Sequence, residues 1–371
     1  MKKIHIALVS KETLPVFYMI NELEPELVYL VGTKETIPYM ETIEKVAQRK
    51  GIVCIKQNTS PNDMQVTVDV CERIHKSNEG DEFSYNLTGG TKLMAFGALI
   101  CAQRYKAQVF YTETTSYVDV NEMKRKLLTK MLDMNTIIKL QGQNVKNKQV
   151  YQFDPLRTEC AKVIRDFVDN NNGAFSTLVS VYQNKINEAK KNKKELEFNE
   201  YEDEENGISY RYSDGRIVVR LNGVEAFSSD YEDALMMFFE GRWWETLVAD
   251  EIAKWKDDDW EMWTNVTFRP NQKTFKDKNE IDILVNIGNT LLFVECKSGS
   301  FNQDNIYKLN SVCQTYGSYK SKACIIEYHA NCVNQVLKEK AKEGKLGIIV
   351  PGRELNGLSE ELDEIINALN P

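Results

Sequence analysis

The strongest constraint on how this 371-residue chain can fold is the alternation of short apolar runs with amphipathic stretches over its first 120 residues. Apolar runs at 4–9, 27–31, 52–55, 83–87 and 108–111 have the length and composition of buried strands. Between them, 14–23, 36–49, 62–75 and 91–105 carry helical periodicity. Five strands separated by helices predict a parallel, doubly wound sheet, an α/β domain of Rossmann type. Such sheets bind ligands beyond the C-terminal ends of their strands, so the loops after each strand are where a ligand site is expected.

The texture then changes. Residues 120–150 are polar and lysine-rich and read as a connector or an extra hairpin. Helices are expected at 156–170 and 174–190, followed by a basic run ending in Lys194-Glu195 and an acidic run at 200–205 that reads as a solvated loop or disordered segment. Ser213-Asp214-Gly215 between alternating segments predicts a hairpin across 208–224. From about 228 the pattern is one long helix (231–256), strands at 260–268, 281–287, 290–296, 323–328 and 346–350, and helices at 302–316 and 331–342. The chain therefore divides into a Rossmann-like domain at 1–145, a small linking α+β region at 146–230 and a second α/β domain at 231–371.

Composition narrows the function classes. No run of about 18 apolar residues is present, so no membrane span is expected. The basic N-terminus is followed by an apolar run too short for a signal peptide. The 8 cysteines are scattered without a C-x-x-C pair, which reads as a cytosolic chain with reduced thiols. His5, His75 and His329 are far apart in sequence, which argues against a His-rich zinc site. The net charge of −8 argues against general stickiness for nucleic acid. Between Lys297 and Lys345, however, eight lysines stand against four acids, a region suited to a polyanion or simply a solvated helix face.

Gly288-Asn289 between two apolar segments reads as a two-residue hairpin turn, and the turn sets the register. Ile287 then faces Thr290, Val285 faces Leu292 and Ile283 faces Val294; by the same count Asp282 faces Glu295 and Glu280 faces Lys297. Glu280, Asp282, Glu295 and Lys297 would project from one face at the open end, with Ile281, Ile283, Val285, Ile287, Leu292 and Val294 on the other. Two carboxylates held about 5 Å apart repel, a conflict that a divalent cation removes, and oxygen donors suit Mg²⁺ or Mn²⁺. An ammonium at Lys297 can orient water and stabilise charge on a phosphate, so the set points to metal-dependent phosphodiester hydrolysis. An ion-paired sheet rim is the bland alternative.

At these residues the chain resembles the PD-(D/E)XK nucleases: a helix carrying Glu, then Asp at the start of a strand, then (D/E)-x-K at the end of the next. Glu245, Asp282, Glu295 and Lys297 match in that order, over roughly 230–371. The resemblance implies a restriction-endonuclease-like domain in which Asp282 and Glu295 bind metal, Glu245 completes the metal and water shell, and Lys297 assists the nucleophile. Lys308, Gln314 and Tyr316 fall on the next helix, where related nucleases place substrate or water contacts; Glu280 is a further candidate contact. Trp243 and Trp244 could stack on bases, although tryptophans on a long amphipathic helix are more often core.

In the first domain, Asn86-Leu87-Thr88-Gly89-Gly90-Thr91-Lys92-Leu93-Met94 follows the fourth strand. Two glycines before a helix free the backbone to present N–H groups, a natural anion site, and Thr88, Thr91 and Lys92 add hydroxyls and a charge. The spacing is not that of a P-loop, and no G-x-G-x-x-G follows the first strand, so dinucleotide binding is not expected. A tight strand–helix turn capped by threonine would read the same way. The phrase resembles CARF domains (CRISPR-associated Rossmann fold) over roughly 1–140. With the downstream motif, the whole chain resembles the CARF nucleases of type III CRISPR systems. The resemblance implies a homodimer in the prokaryotic cytoplasm whose two CARF domains form a symmetric pocket for a cyclic oligoadenylate, most often the tetra-adenylate. Ser10, Lys11, Thr13, Thr33, Thr88, Gly89, Gly90, Thr91 and Lys92 would line that pocket, and binding would switch on hydrolysis of DNA or RNA. Residues 150–235 are the candidate transmission element. Alternatives are a ligand-responsive nucleic-acid-binding regulator without catalysis, a constitutive DNA repair nuclease, and an enzyme that cleaves its own messenger, for which the loop shows no obvious base.

Overall fold

The structure is a computed structural model and describes residues 1–193, 198–269, 279–299, 301–318 and 320–367. Lys194 and Glu195 of the basic run lie outside the described residues.

The first domain is built on strands β1 (Lys3–Leu8), β2 (Leu27–Gly32), β3 (Val53–Asn58), β4 (Glu82–Asn86), β5 (Gln108–Thr112), β6 (Ser116–Asp119) and β7 (Lys124–Leu127). Helices α1 (Leu14–Leu23), α2 (Ile37–Arg49), α3 (Met64–Lys76) and α4 (Lys92–Arg104) alternate with them. The sheet order is β3-β2-β1-β4-β5-β6-β7, parallel through β5 and antiparallel beyond. The order reverses between β1 and β4. This topological switch point separates the ends of two strands and opens a crevice at their C-terminal edge. The expected doubly wound sheet is present, and the polar stretch after 120 supplies its β6–β7 hairpin.

Helix α5 (Met134–Leu140) and strand β8 (Val145–Val150) follow. Strand β8 leaves the first sheet altogether and hydrogen-bonds to strand β13 (Met262–Phe268) in the third. Helices α6 (Pro155–Asn170) and α7 (Asn172–Asn192) pack on a four-stranded antiparallel sheet of β9 (Glu200–Asp203), β10 (Ile208–Ser213), β11 (Arg216–Leu221) and β12 (Val224–Ser229). The acidic run read as a loop is strand β9. Its glutamates face water while Tyr201 turns inward and pairs with Tyr210, so one aromatic in register outweighs the charge of its neighbours.

The single long helix expected at 231–256 is two helices, α8 (Ala234–Glu240) and α9 (Arg242–Trp255), broken at Gly241 with φ +79°. A side chain at this position would bring its Cβ to 2.9 Å from Ser298 Oγ. The break therefore admits the segment that follows Lys297 and starts a new helix with Glu245 in its first turn. The remaining elements are β13 (Met262–Phe268), β14 (Glu280–Asn286), β15 (Leu291–Lys297), α10 (Gln303–Tyr316), β16 (Lys322–Glu327), α11 (Gln335–Glu343), β17 (Gly347–Ile349) and α12 (Leu358–Asn367), the last unforeseen. Their sheet runs β17-β16-β15-β14-β13-β8.

The two large domains share one apolar core. Leu14, Phe17, Leu132, Ile137 and Leu140 pack in the same cluster as Leu284, Leu291, Phe293 and Leu309. At its centre is the β14–β15 turn. Gly288 and Asn289 both have positive φ, +78° and +66°, as a type I′ turn requires. Asn289 is buried and bonded on both sides: Tyr18 Oη donates to its carbonyl at 2.9 Å, and Leu132 N–H donates to its Oδ1 at 2.7 Å. Asn286 Nδ2 in turn donates to Leu132 O at 2.7 Å. Asn289→Ala leaves the Leu132 N–H without its acceptor and puts a Cβ-only side chain at positive φ; a loss of about 1–3 kcal/mol is expected by chemical denaturation. Unchanged stability would show that this junction does not hold the domains together.

Candidate functional site

Beyond Ile283 and Val294 the β14–β15 ladder opens. One step past the last paired residues, Asp282 Oδ2 accepts the Cys296 N–H at 2.7 Å. The two-faced alternation inferred from the sequence breaks at Ile281. Ile283, Val285, Leu292 and Val294 pack toward α9, whereas Ile281 packs in the opposite cluster with Leu284 and Phe293. The break coincides with Asn265 at φ +50° on β13, the residue between the Thr264–Ile283 and Val266–Ile281 pairs. A left-handed residue inside a strand re-aims the side chains around it.

Glu245, from the first turn of α9, and Asp282 line one cavity of about 300 Å³. Glu295 lies on the neighbouring strand and is engaged by Lys297, whose Nζ donates to Oε1 at 2.6 Å. Burial pushes the Asp282 carboxyl well above the usual range, and the nearby charges of Glu245 and Glu295 add to the shift. Burial also raises Glu245 to about 7, opposed by Arg242 and Lys297 and assisted by Glu295. Burial alone would lower the Lys297 ammonium, but Glu295 and Asp282 outweigh it and hold Lys297 above its ordinary value. Glu245, Asp282, Glu295 and Lys297 thus form one electrostatic group.

Among the described residues, no three His, Cys, Asp or Glu side chains are gathered closely enough to hold a metal ion as they stand. Donors of the protein occupy two of the carboxylates, the Lys297 ammonium at Glu295 and the Cys296 N–H at Asp282. The chemistry of the set nevertheless fits a small divalent cation, because it consists of buried and half-buried oxygen donors whose repulsion a cation would relieve.

The other sequence candidates are scattered. Glu280 is exposed at the start of β14, opposite Thr267. Lys308 and Gln314 are exposed on α10, and Gln314 lines a separate cavity between the domains. Tyr316 is buried against Phe268, ring centroids 3.8 Å apart, with its hydroxyl accepting from Asn279 Nδ2 at 2.9 Å. None of these four lines the Asp282 cavity. Trp243 and Trp244 are fully buried core residues. Sequence reading passed over the cavity's far wall, formed by 149–154, Arg157, Tyr231 and Asp250. It also missed Glu327, buried beside Lys297 in the β15–β16 ladder, with Oε2 lacking a partner among the described residues.

In the first domain, the loops after β1 and β4 flank the switch point. Gly89 passes so close to β1 that a Cβ would lie 2.0 Å from Leu8 O. Gly90 has φ +75°, and neither glycine's N–H donates to an acceptor among the described residues. Several hydroxyls are committed to the protein. Thr88 Oγ1 donates to Asn86 Oδ1 (2.6 Å), Thr91 Oγ1 to Pro61 O (2.7 Å), Thr13 Oγ1 to Leu140 O (2.6 Å) and Thr33 Oγ1 to Glu35 Oε2 (2.6 Å). Ser10 Oγ accepts from Glu12 N–H at 3.3 Å, and Lys11 and Lys92 are exposed.

Residues 4–142 match the family described as the Card1 CARF domain, and residues 232–369 match the Card1-like endonuclease domain. No curated protein is matched by sequence. Among solved structures, Can2 from Sulfobacillus thermosulfidooxidans, in complex with cyclic tetra-adenylate, is similar with a TM-score of 0.70 at 18% identity, over 98% of this chain and 99% of that one. Protein VC1899 from Vibrio cholerae is similar with a TM-score of 0.75 at 15% identity, over 99% and 98%. A type III CRISPR defence DNA nuclease activated by cyclic oligoadenylate is similar with a TM-score of 0.56 at 16% identity, over 87% of this chain and 45% of that one. At these identities the likeness to the solved structures is one of fold.

The raised Glu245 carboxyl yields a pH prediction. Its folded value of about 7 lies above the ordinary 4.5, so folding favours the protonated form; that contribution is present below pH 4.5 and is lost as pH rises to 7. Glu245→Gln should therefore raise the melting temperature of the metal-free protein at pH 8 and leave it nearly unchanged at pH 4.5. Equal melting shifts at both pH values would contradict the burial assigned to this carboxyl.

Proposed function

We propose that this chain, which belongs to the CARF-domain nucleases, is a metal-dependent endonuclease. In this reading it hydrolyses phosphodiester bonds of DNA or RNA when a cyclic oligoadenylate, tetra-adenylate foremost, binds its first domain. The observation that carries the reading is the electrostatic group of Glu245, Asp282, Glu295 and Lys297 at one end of a hairpin whose turn is bonded to the first domain.

A divalent cation, Mg²⁺ or Mn²⁺, would be held by Asp282 and Glu295 with Glu245 completing the set, and would supply polarisation of a phosphoryl oxygen. The protein's own groups do the rest. Lys297 keeps its proton at neutral pH because two acids surround it. Once Glu295 is drawn to other work, the ammonium is released to orient a water and to stabilise charge developing on the phosphate. In the metal-free protein burial holds Glu245 near 7, and a cation beside it would favour its ionised form.

The sensing half of the proposal rests on the switch-point loops. Unclaimed N–H groups at Gly89 and Gly90 beside the Lys92 charge suit a phosphate of the activator. Helix α1 begins directly after the Ser10–Thr13 loop, and its Tyr18 reaches Asn289 in the β14–β15 turn. A change at the loop thus has a short, packed route to the catalytic hairpin. Exposed Met64, Val66, Leu93 and Phe96 on α3 and α4 suit burial by a second copy of the chain, as a homodimer requires. The cyclic tetra-adenylate held by the similar Can2 supports that ring size.

The test is cleavage of supercoiled plasmid, single-stranded DNA and single-stranded RNA with Mn²⁺ or Mg²⁺, each with and without cyclic tetra-adenylate. Activator-dependent cleavage that EDTA stops is expected, and Lys297→Ala should lower it at least roughly 100-fold while leaving activator affinity intact. Activator-independent cleavage would instead favour a repair nuclease, and binding without cleavage a regulator. Lys92→Ala should weaken activator binding in a direct titration; an unchanged dissociation constant would remove that lysine from the pocket.

A further inference from the structure

The cavity beside Asp282 and Glu245 is closed on its far side by the segment joining β8 to α6, which the nuclease motif does not include. Among the described residues its lining carries four carboxylates, Asp154, Glu245, Asp250 and Asp282, and one cation, Arg157, in the first turn of α6. Arg157 Nε is buried and meets no acceptor among the described residues. The charge of Arg157 acts on Glu245, Asp250 and Asp154 alike. The two acids nearest the helix are already satisfied. Asp250 accepts from Tyr151 Oη at 2.9 Å and Thr158 Oγ1 at 2.6 Å, and Asp154 accepts from the Leu156 and Arg157 N–H groups and from Tyr231 Oη at 2.9 Å. The guanidinium is thus held among acids without being consumed by them. On the rim, Phe153 is 62% exposed, an aromatic face turned to solvent beside the carboxylates.

A buried guanidinium edge without an acceptor is costly, and its geometry matches a phosphate in two-point contact. An exposed aromatic one segment away offers a stacking face that any base can use. We infer that Arg157 and Phe153 form a nucleotide clamp on the substrate strand, Arg157 taking a backbone phosphate next to the cleaved one and Phe153 stacking the adjoining base. This rests on the nuclease reading and adds to it two substrate-binding residues drawn from outside the endonuclease domain. It also explains how a cavity so rich in carboxylates would receive a polyanion, since the guanidinium is the positive contact inside the cavity itself.

The test measures binding of a fluorescein-labelled single-stranded oligonucleotide to full-length protein by anisotropy. Lys297→Ala serves as the background so that no cleavage intervenes, with cyclic tetra-adenylate and Mn²⁺ present. Adding Arg157→Ala should raise the dissociation constant roughly tenfold and lower the slope of log K against log salt by about one. Arg157→Lys should keep the salt slope while recovering part of the affinity. Phe153→Ala, at an exposed position where folding is not at stake, should weaken binding roughly fivefold or more with the salt slope unchanged. Unaltered affinity in both alanine variants overturns the clamp. A change of oligomeric state in Phe153→Ala, with binding intact, also overturns it and makes the rim a contact between copies. The two readings separate cleanly. If the wild type cleaves on activation and Arg157→Ala has an unchanged KM, the clamp fails alone. If the wild type cleaves nothing, the nuclease reading fails, and the binding comparison still decides the clamp.

Discussion

The β14–β15 hairpin is the element on which the rest of this structure depends, because its two ends serve different domains. At the turn, Asn289 exchanges hydrogen bonds with Tyr18 and Leu132 inside an apolar core common to both domains. At the other end the ladder opens, and Asp282, Glu295 and Lys297 stand against helix α9. Asp282 stands seven positions before Asn289, roughly 20 Å along stiff, largely paired backbone. A packed hairpin of this kind moves as a unit rather than bending residue by residue. In the proposed reading, that rigidity lets an event at the switch-point loops bear on carboxylates at the far end, and it gives α1 a more direct role than the linking region first considered for transmission.

The open end is electrostatically expensive. Burial raises both Glu245 and Asp282, and neighbouring carboxylates, Glu295 for the first and Glu245 and Glu295 for the second, add to it. Arg242 and Lys297 offset part of this, the lysine bound to Glu295 at 2.6 Å. Sites that serve only to stabilise a fold rarely crowd three acids around one base, since an apolar replacement would cost less. The tension is the kind that a cation or a charged transition state relieves, and it is held in place by the surrounding fold, including the Gly241 break that starts α9 where Glu245 can reach the cavity.

Much of this was legible in the chain. The β/α alternation of the first 120 residues predicted the parallel sheet, and Gly288-Asn289 predicted the register of β14 against β15, which holds from Asn286 through Ile283. The failures are local and have physical causes. Gly241 sits within an unbroken helical pattern, and periodicity does not report that a neighbouring segment needs the space a side chain would fill. Ile281 leaves the face that alternation assigns it where the neighbouring strand carries Asn265 in a left-handed conformation, a feature of tertiary pairing that the alternation of one strand does not report. Strand β9 was hidden by its glutamates, whose charge suggested a loop although they occupy the solvent side of a sheet. Gln314 and Tyr316 fall on the expected helix but point to the domain interface and to Phe268.

By itself, the sequence determined the properties that a few neighbouring residues decide among themselves: turn type, strand register, helix starts and the presence of an acidic pair followed by lysine. Tertiary structure alone decided which distant segments meet. It placed β8 at the edge of the third sheet, brought Arg157 and Phe153 to the wall facing Asp282, and seated the Asn289 turn in the first domain. The reason is physical. Turn chemistry and side-chain alternation are set by local sterics and hydrogen bonding, whereas apolar burial is non-directional and does not name its partner. A cavity between elements far apart in the chain exists only once that burial has been satisfied in one particular way.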